Sequence, residues 1–213
     1  GGGKNRYPHY LGEEEVHHPN NRGFDYFFGL LGGSRPYFTT SDLPADKKLM
    51  RNNQVDDLAE GYMTDVLTDD AIGWMNDQID ANKPFFTYLS YTAVHGPYQS
   101  KPEDLARYDA CESCSDNRKN LAAMTYNFDQ NLGKLVDSLK QKGVYDNTIF
   151  FVINDNGGNN PGTITNNGQL RGGKSSQFEG GLRVPFLVKW KGELPENSTY
   201  DQQVISTDIA ATA

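Results

Sequence analysis

The sequence predicts an α/β protein in which a mostly parallel central sheet is flanked by helices on both faces. Segments with helical hydrophobic spacing alternate with short apolar runs, and the connections between them are short, as in sheets with crossover helices. A length of 213 residues with 36% hydrophobic content is sufficient for one sizeable core and excludes a disordered chain. We therefore expect a single α/β domain over residues 1–213.

The first half of the chain predicts one helix followed by one strand. Apolar side chains recur at near-helical spacing over residues 61–82, with carboxylates between them. The run at 85–91 then combines aromatic and apolar residues between two prolines, which is typical of a strand.

The second half repeats this order. The helical pattern returns over residues 120–142, and Gly143 is suited to end that helix. Residues 148–153 are nearly all apolar and predict a strand covered on both faces. A third strand is expected at 184–190, and residues 206–208 resemble the cap of a further helix.

Composition excludes two classes of partner. The chain has 20 Lys and Arg against 28 Asp and Glu, a formal net charge of -8, which argues against binding to nucleic acid. Its apolar runs are far shorter than the roughly 20 residues of a membrane helix. We expect neither a nucleic acid partner nor a membrane span, and the sequence does not indicate an oligomeric state.

Candidate ligand-binding residues follow the predicted strands, because ligands of such sheets bind beyond the carboxyl ends of the strands. Asp155 and Asn156 supply hard oxygen atoms that suit Ca²⁺ or Mg²⁺, although the same residues are common in turns. His95 is a candidate general acid, or else a loop histidine bonded to a carbonyl. Lys174 lies in a glycine-rich loop, where it could neutralise an anion or simply be solvated.

Four motifs in this order resemble the type I sulfatase family. They are RGFDYFFG at 22–29, KPFF followed by AVHGP within 83–97, NTI followed by DNGG within 147–158, and LRGGK followed by EGGLRVP within 170–185. Each motif is weak alone, and the ordered set is specific.

The resemblance implies an alkaline-phosphatase-like fold that hydrolyses sulfate esters with bound Ca²⁺ and a formylglycine made from Cys or Ser. Asp155 and Asn156 match metal ligands of the family, and Lys174 matches the lysine that holds the sulfate. His95 matches the histidine beside the leaving-group oxygen. Lys4 and His9 are the displaced equivalents of the Gly-Lys-x-His-Leu-Gly motif, or ordinary loop residues.

The chain also departs from the family pattern. The formylglycine motif and two aspartates of the calcium site belong upstream of residue 22 and are absent, and Ala213 ends the chain before the family's C-terminal subdomain. We expect a catalytic domain that lacks its nucleophile segment and that subdomain. The alternative is a non-catalytic homologue that binds sulfated glycans or forms an extracellular structural component. A phosphoester hydrolase with two Zn²⁺ fits four histidines poorly.

The expected substrate is a sulfated polysaccharide or glycan, because residues suited to sugars and acidic groups occupy the predicted crevice loops. These residues are Arg35, Tyr37, Tyr98, Gln99, Asn167 and Arg171. Family resemblance and the glycosylation triplet at 197–199 favour an exported protein. Cys111 and Cys114 form either a local disulfide or two free thiols.

Overall fold

The computed structural model describes residues 17–40, 42–44, 47–56, 59–159 and 163–213. These residues divide into two compact units, the first within Gly1–Glu112 and Lys119–Gly133 and the second comprising Ser113–Arg118 and Lys134–Ala213. None of the described helices is both long and apolar enough to cross a membrane.

The described part of the first unit contains five short strands in two sheets. The strands are β1 (Phe28–Gly29), β2 (Phe38–Thr39), β3 (Leu49–Arg51), β4 (Gln54–Asp56) and β5 (Gly61–Tyr62). β3 lies between β1 and β4, β2 pairs with β5, and all three pairings are antiparallel. In the second pairing, Phe38 is opposite Tyr62.

Helix α1 (Met63–Asp80) confirms the helix expected over 61–82. The buried residues share one side of the helix, because their spacing follows its period. They are Met63, Thr64, Leu67, Thr68 and Met75. After an irregular segment, short helix α2 (Pro102–Leu105) and a single 3-10 turn (Ala106–Tyr108) follow.

Helix α3 (Asp116–Gln141) confirms the helix expected over 120–142 and begins earlier than predicted. Ser115 explains the early start, since its side chain accepts a hydrogen bond from the Arg118 N–H at 3.3 Å and caps the helix. Gly143 has a positive φ of 72°, as expected for the residue that ends a helix.

The core of the first unit joins a loop segment, two strands and two helices. Its buried members are Tyr37, Leu49, Tyr62, Met63, Leu67 and Met124. The rings of Tyr37 and Tyr62 stack at a centroid distance of 5.7 Å. This cluster places Tyr37 at the centre of the unit, with 1% of its surface exposed.

The second unit contains β6 (Phe150–Ile153), helix α4 (Glu179–Leu182), β7 (Phe186–Lys189) and helix α5 (Asp208–Thr212). A 3-10 turn at Tyr145–Asn147 precedes β6. The two strands confirm those expected at 148–153 and 184–190. Helix α5 begins where the sequence indicated, and Asp208 accepts a hydrogen bond from the Ile205 N–H at 2.9 Å.

The expected parallel pairing is wrong for the described strands. β6 and β7 pair antiparallel, with Phe150 opposite Lys189 and Ile153 opposite Phe186. Hydrophobic periodicity identifies strands but carries no information on the direction of their partners. The expected double coverage of β6 is also wrong, since no β6 residue is buried and Ile153 is exposed.

The strand expected at 85–91 is likewise absent from the described structure. The segment has no ladder partner among the described residues. Phe86 and Tyr88 are 59% and 72% exposed. A run of β-favouring residues is recorded as a strand only where another strand pairs with it.

Candidate active site

Two glycine-rich loops of the second unit and the short helix α4 pack backbone against backbone. Gly157 donates a hydrogen bond from its N–H to the Gly181 carbonyl at 3.0 Å, and Gly180 donates to the Arg171 carbonyl at 2.8 Å. A Cβ atom at Gly157 would lie 1.7 Å from the Gly180 oxygen, and one at Gly180 would lie 2.3 Å from the Gly172 oxygen. Only glycine fits at these contacts.

Asp155 and Asn156 follow β6 directly and form a tight turn. The Asp155 Oδ1 accepts a hydrogen bond from the Asn156 N–H at 2.8 Å, and the Asn156 Nδ2 donates to the Gly157 carbonyl at 2.9 Å. Within the described residues, Asp155 Oδ2 and Asn156 Oδ1 accept no hydrogen bond. Both the turn and the ligand interpretation of these residues therefore fit this geometry.

These two oxygen atoms are the hard donors that Ca²⁺ prefers, so the residues fit a calcium ion as part of its ligand set. Asp155 is exposed and Asn156 is half-buried, which leaves the carboxylate accessible. The described residues contain no group of three or more His, Cys, Asp or Glu side chains arranged to hold a metal.

Lys174 is fixed next to this turn through its backbone. Its N–H donates a hydrogen bond to the Gly158 carbonyl at 3.1 Å, and its side chain is half-buried. No described carboxylate lies within ion-pair distance of the Lys174 ammonium. The structure thus brings Asp155, Asn156 and Lys174 into one loop cluster. The Lys174 ammonium is available there for an external anion.

Asn167 clamps the same loops together, a role that the sequence did not reveal. Its Oδ1 accepts from the Gly158 N–H at 3.1 Å, and its Nδ2 donates to the Gly172 carbonyl at 2.8 Å. The expectation that Asn167 contacts a sugar is weakened, because both ends of its amide are occupied. No sequence signal separates this asparagine from its neighbours in a polar loop.

His95 belongs to the first unit, and its imidazole is exposed. The Nδ1 atom lies 2.7 Å from the Gly96 carbonyl oxygen, a contact that requires a proton on Nδ1. The Nε2 atom has no hydrogen-bond partner within the described residues and remains available for proton exchange. The structure therefore shows the predicted carbonyl contact together with a ring nitrogen that has no described partner.

The buried side chain of Tyr37 is hydrogen-bonded to the loop that carries His95. The Tyr37 hydroxyl donates to the Thr92 carbonyl at 2.5 Å and accepts from the His95 N–H at 3.0 Å. Burial raises the pKa of Tyr37, so the phenol stays protonated and keeps both hydrogen bonds. The expectation that Tyr37 contacts a sugar is wrong, because the side chain is buried and its hydroxyl is already bonded to two backbone groups.

Gln99 fastens the far end of this loop. Its side-chain Oε1 accepts from the Tyr37 N–H at 2.9 Å, and its carbonyl accepts from the Tyr62 hydroxyl at 2.9 Å. The side chain and the carbonyl of Gln99 are therefore both occupied within the protein, and Tyr98 packs against the core cluster.

Arg171 is exposed, with its guanidinium 3.9 Å from the centre of the Phe178 ring. Lys4 and His9 lie outside the described residues.

Comparison with known proteins defines the class to which this arrangement belongs. The family model described as Sulfatase matches residues 5–213. The sulfatase YdeN of Escherichia coli K12, itself described as uncharacterized, is 33% identical over 195 residues, which cover 92% of this chain and 33% of that protein. Mouse arylsulfatase J is 34% identical over 175 residues, covering 80% of this chain and 29% of that protein.

A solved structure shows the same fold. The crystal structure of Ps i-CgsB in complex with k-i-k-neocarrahexaose superposes with a TM-score of 0.78 and 36% sequence identity, covering 86% of this chain and 43% of that chain. The chain belongs to the sulfatase family. It spans about a third of the length of the curated relatives it matches.

Proposed function

We propose that this chain forms part of a calcium-dependent sulfuric ester hydrolase. One observation carries the proposal. In a member of the sulfatase family, one free carboxylate oxygen, one free amide oxygen and one unpaired ammonium lie on adjoining loops. The oxygens of Asp155 and Asn156 suit a divalent cation, and Lys174 suits an anion. A sulfate ester held by a metal ion needs both.

The residues of the loop cluster have two proposed roles, which are metal binding and sulfate binding. When bound, Ca²⁺ would supply positive charge that stabilises the sulfuryl oxygens in the transition state. Asp155 and Asn156 would hold that ion, and Lys174 would pair with a sulfuryl oxygen as a point charge. The nucleophile is proposed to be a formylglycine located upstream of residue 22, where the family carries it.

His95 is the proposed general acid of the same reaction. Its Nδ1–H is directed at the Gly96 carbonyl, so the imidazolium form, which carries a second proton on Nε2, would deliver that proton to the departing alcohol oxygen and become the neutral ring. The hydrogen bond from the His95 N–H to Tyr37 fixes the loop that carries the ring. Lys4 and His9 remain candidates for further contacts to the sulfate.

The proposed substrate is a sulfated glycan. The neighbouring structure of Ps i-CgsB was solved with k-i-k-neocarrahexaose, an oligosaccharide by its name. We further propose an exported location, which the disulfide between Cys111 and Cys114 supports, because disulfides persist in oxidising compartments. The single domain over residues 1–213 stays a prediction.

Substitution of Lys174 tests the hydrolase directly. In the complete native polypeptide, Lys174→Ala should lower kcat on a sulfate ester by about 100- to 1000-fold without changing the melting temperature. Lys191→Ala is the matched control, because Lys191 pairs with Asp146 at an exposed position of the same unit. Unchanged sulfate release by Lys174→Ala would refute the assigned role. A wild-type polypeptide that binds sulfated glycans without releasing sulfate would favour the non-catalytic alternative.

A further inference from the structure

Arg35 is a buried arginine for which the described protein supplies no counter-ion. Only 3% of its surface is exposed. Its guanidinium makes one hydrogen bond, from Nε to the Pro36 carbonyl at 3.3 Å, and Nη1 is buried with no partner. Burial lowers the pKa of Arg35 to about 10, and no neighbouring carboxylate offsets that effect.

A second arginine of this unit, Arg51, shows what Arg35 lacks. Arg51 pairs with both Asp56 and Asp70 although 44% of its side chain is exposed. A guanidinium has five N–H donors, and burial without an anion leaves most of them unsatisfied at a large energetic cost. Such a group is complementary to an oxyanion, since its planar fork matches sulfate and carboxylate geometry.

The position of Arg35 connects it to the loop that carries His95. Burial alternates along this segment, because Arg35, Tyr37 and Thr39 are buried whereas Phe38 is 42% exposed. Arg35 thus enters the interior from the same short segment as Tyr37. The Tyr37 hydroxyl contacts the His95 N–H, and the Tyr37 N–H contacts the Gln99 side chain.

We propose that Arg35 binds a second oxyanion of the substrate, a sulfate or carboxylate that the reaction does not remove, next to the loop that carries His95. This inference rests on the proposed function and extends it to substrate selection. Because a single hydrogen bond holds the guanidinium, most of its N–H donors remain for an incoming anion. Arg35 would then be a specificity-determining residue, and glycans with two anionic groups would be preferred.

Kinetics on paired substrates test this role in the complete native polypeptide. The substrates are a small aryl sulfate, an oligosaccharide with one sulfate, and the same oligosaccharide with either a second sulfate or a carboxylate. Arg35→Gln should lower kcat/KM on the doubly anionic oligosaccharides by about 10- to 100-fold, chiefly through KM, because one charged hydrogen-bonded pair is lost. Turnover of the two singly anionic substrates should change less than about twofold, as expected for a group they do not contact.

Arg35→Lys is the conservative variant and should recover part of the loss, since it keeps the charge but not the planar fork. Comparison of the loss in kcat/KM on the oligosaccharide with a second sulfate and on the one with a carboxylate identifies which oxyanion Arg35 prefers. An equal loss on all substrates, or no loss on any, would overturn the proposal.

A binding measurement separates this inference from the hydrolase itself. The doubly sulfated oligosaccharide should raise the melting temperature of the wild-type protein, as ligands of the native state do, and should not raise that of Arg35→Gln. Arg35-dependent binding without any sulfate release would support the anion site and refute the hydrolase. Sulfate release with oligosaccharide binding that is independent of Arg35 would refute the anion site alone. If Arg35→Gln does not fold, the same comparison with Arg35→Lys decides the question.

Discussion

The hydroxyl oxygen of Tyr37 lies 3.0 Å from the backbone nitrogen of His95. Through this contact a tyrosine of which 1% of the surface is exposed positions an exposed imidazole, although the two residues are 58 positions apart in the chain. The same hydroxyl donates to the Thr92 carbonyl. One phenol therefore fixes two backbone groups of the loop that carries the candidate acid.

Removal of this hydroxyl should loosen the loop without changing its chemistry. Tyr37→Phe leaves two backbone groups unsatisfied and should lower the free energy of unfolding by about 1–3 kcal/mol. Hydrogen exchange at residues 92–96 should accelerate. Tyr88→Phe is the matched control because Tyr88 is 72% exposed, and it should change neither measurement. Unaltered exchange in Tyr37→Phe would contradict the positioning role.

Substitution of His95 should affect substrates according to their leaving groups. A general acid matters most when the departing alcohol is a weak acid, so His95→Ala should reduce kcat on an alkyl or sugar sulfate by about 100- to 10,000-fold. The effect on an activated aryl sulfate should be much smaller. His17→Ala serves as the control for an exposed histidine of the same unit. Equal losses on both substrate types would argue against proton donation.

Asp155 should be measurable as a calcium ligand without any assay of turnover. Added Ca²⁺ should raise the melting temperature of the wild-type protein, and Asp155→Asn should reduce that increase because a charged donor is lost. Asp201→Asn removes an exposed carboxylate of the same unit and should retain the full effect. A Ca²⁺ response that persists unchanged in Asp155→Asn would exclude this residue from the ion's ligands.

Gly157→Ala should open the glycine-packed loops. Its methyl group would lie 1.7 Å from the Gly180 carbonyl oxygen, so the backbone must move, at a cost of at least about 1–3 kcal/mol. Gly133→Ala is the control, since Gly133 lies in helix α3 with nothing within 4 Å of a new Cβ. That change should stabilise the helix by about 1 kcal/mol. Urea denaturation of both variants checks the opposite signs, and two equal shifts would contradict this account.

Acid should weaken the first unit through Asp65. Burial of this carboxylate opposes ionisation, but hydrogen bonds from Asn131, Asn127 and Lys101 outweigh it and lower the pKa of Asp65 below its ordinary value. A carboxyl whose pKa is depressed in the folded state stabilises the protein above the unfolded pKa, and this contribution is lost as pH falls through the folded value.

Stability should therefore decline below about pH 4, and Asp65→Asn should show a smaller decline from a lower starting stability. Asp137→Asn is the control, because Asp137 forms an exposed ion pair with Lys140. Denaturation curves from pH 7 to pH 3 provide the measurement. Identical pH dependence in Asp65→Asn and wild type would contradict this assignment.

The two long helices were predictable from the sequence because their buried faces repeat with the helical period. The pairing of the strands was not, since the apolar residues of 148–153 and 184–190 reveal extended backbone and not the direction of a partner. The run at 85–91 has high β-propensity but no described neighbour to pair with.

Within the site, motif order predicted that Asp155, Asn156 and Lys174 serve one centre, and the structure places them on adjoining loops. For the supporting residues Tyr37, Gln99 and Asn167, the sequence instead favours an interpretation as sugar contacts. Their polar atoms bond to backbone groups of distant segments, and such partners cannot be inferred from local composition.

Backbone contacts determine the conformation of the loop cluster, so its exposed side chains are not needed for it. These contacts join Gly157, Gly180 and Gly181. Hydrogen bonds between main-chain groups set the positions of these loops, whereas Gln169 and Gln177 point to solvent-exposed surface on the same segment. Variants with random residues at those two positions should keep Lys174 and Asp155 in the same relative position. The main-chain contacts thus make the arrangement of the cluster independent of its exposed side chains.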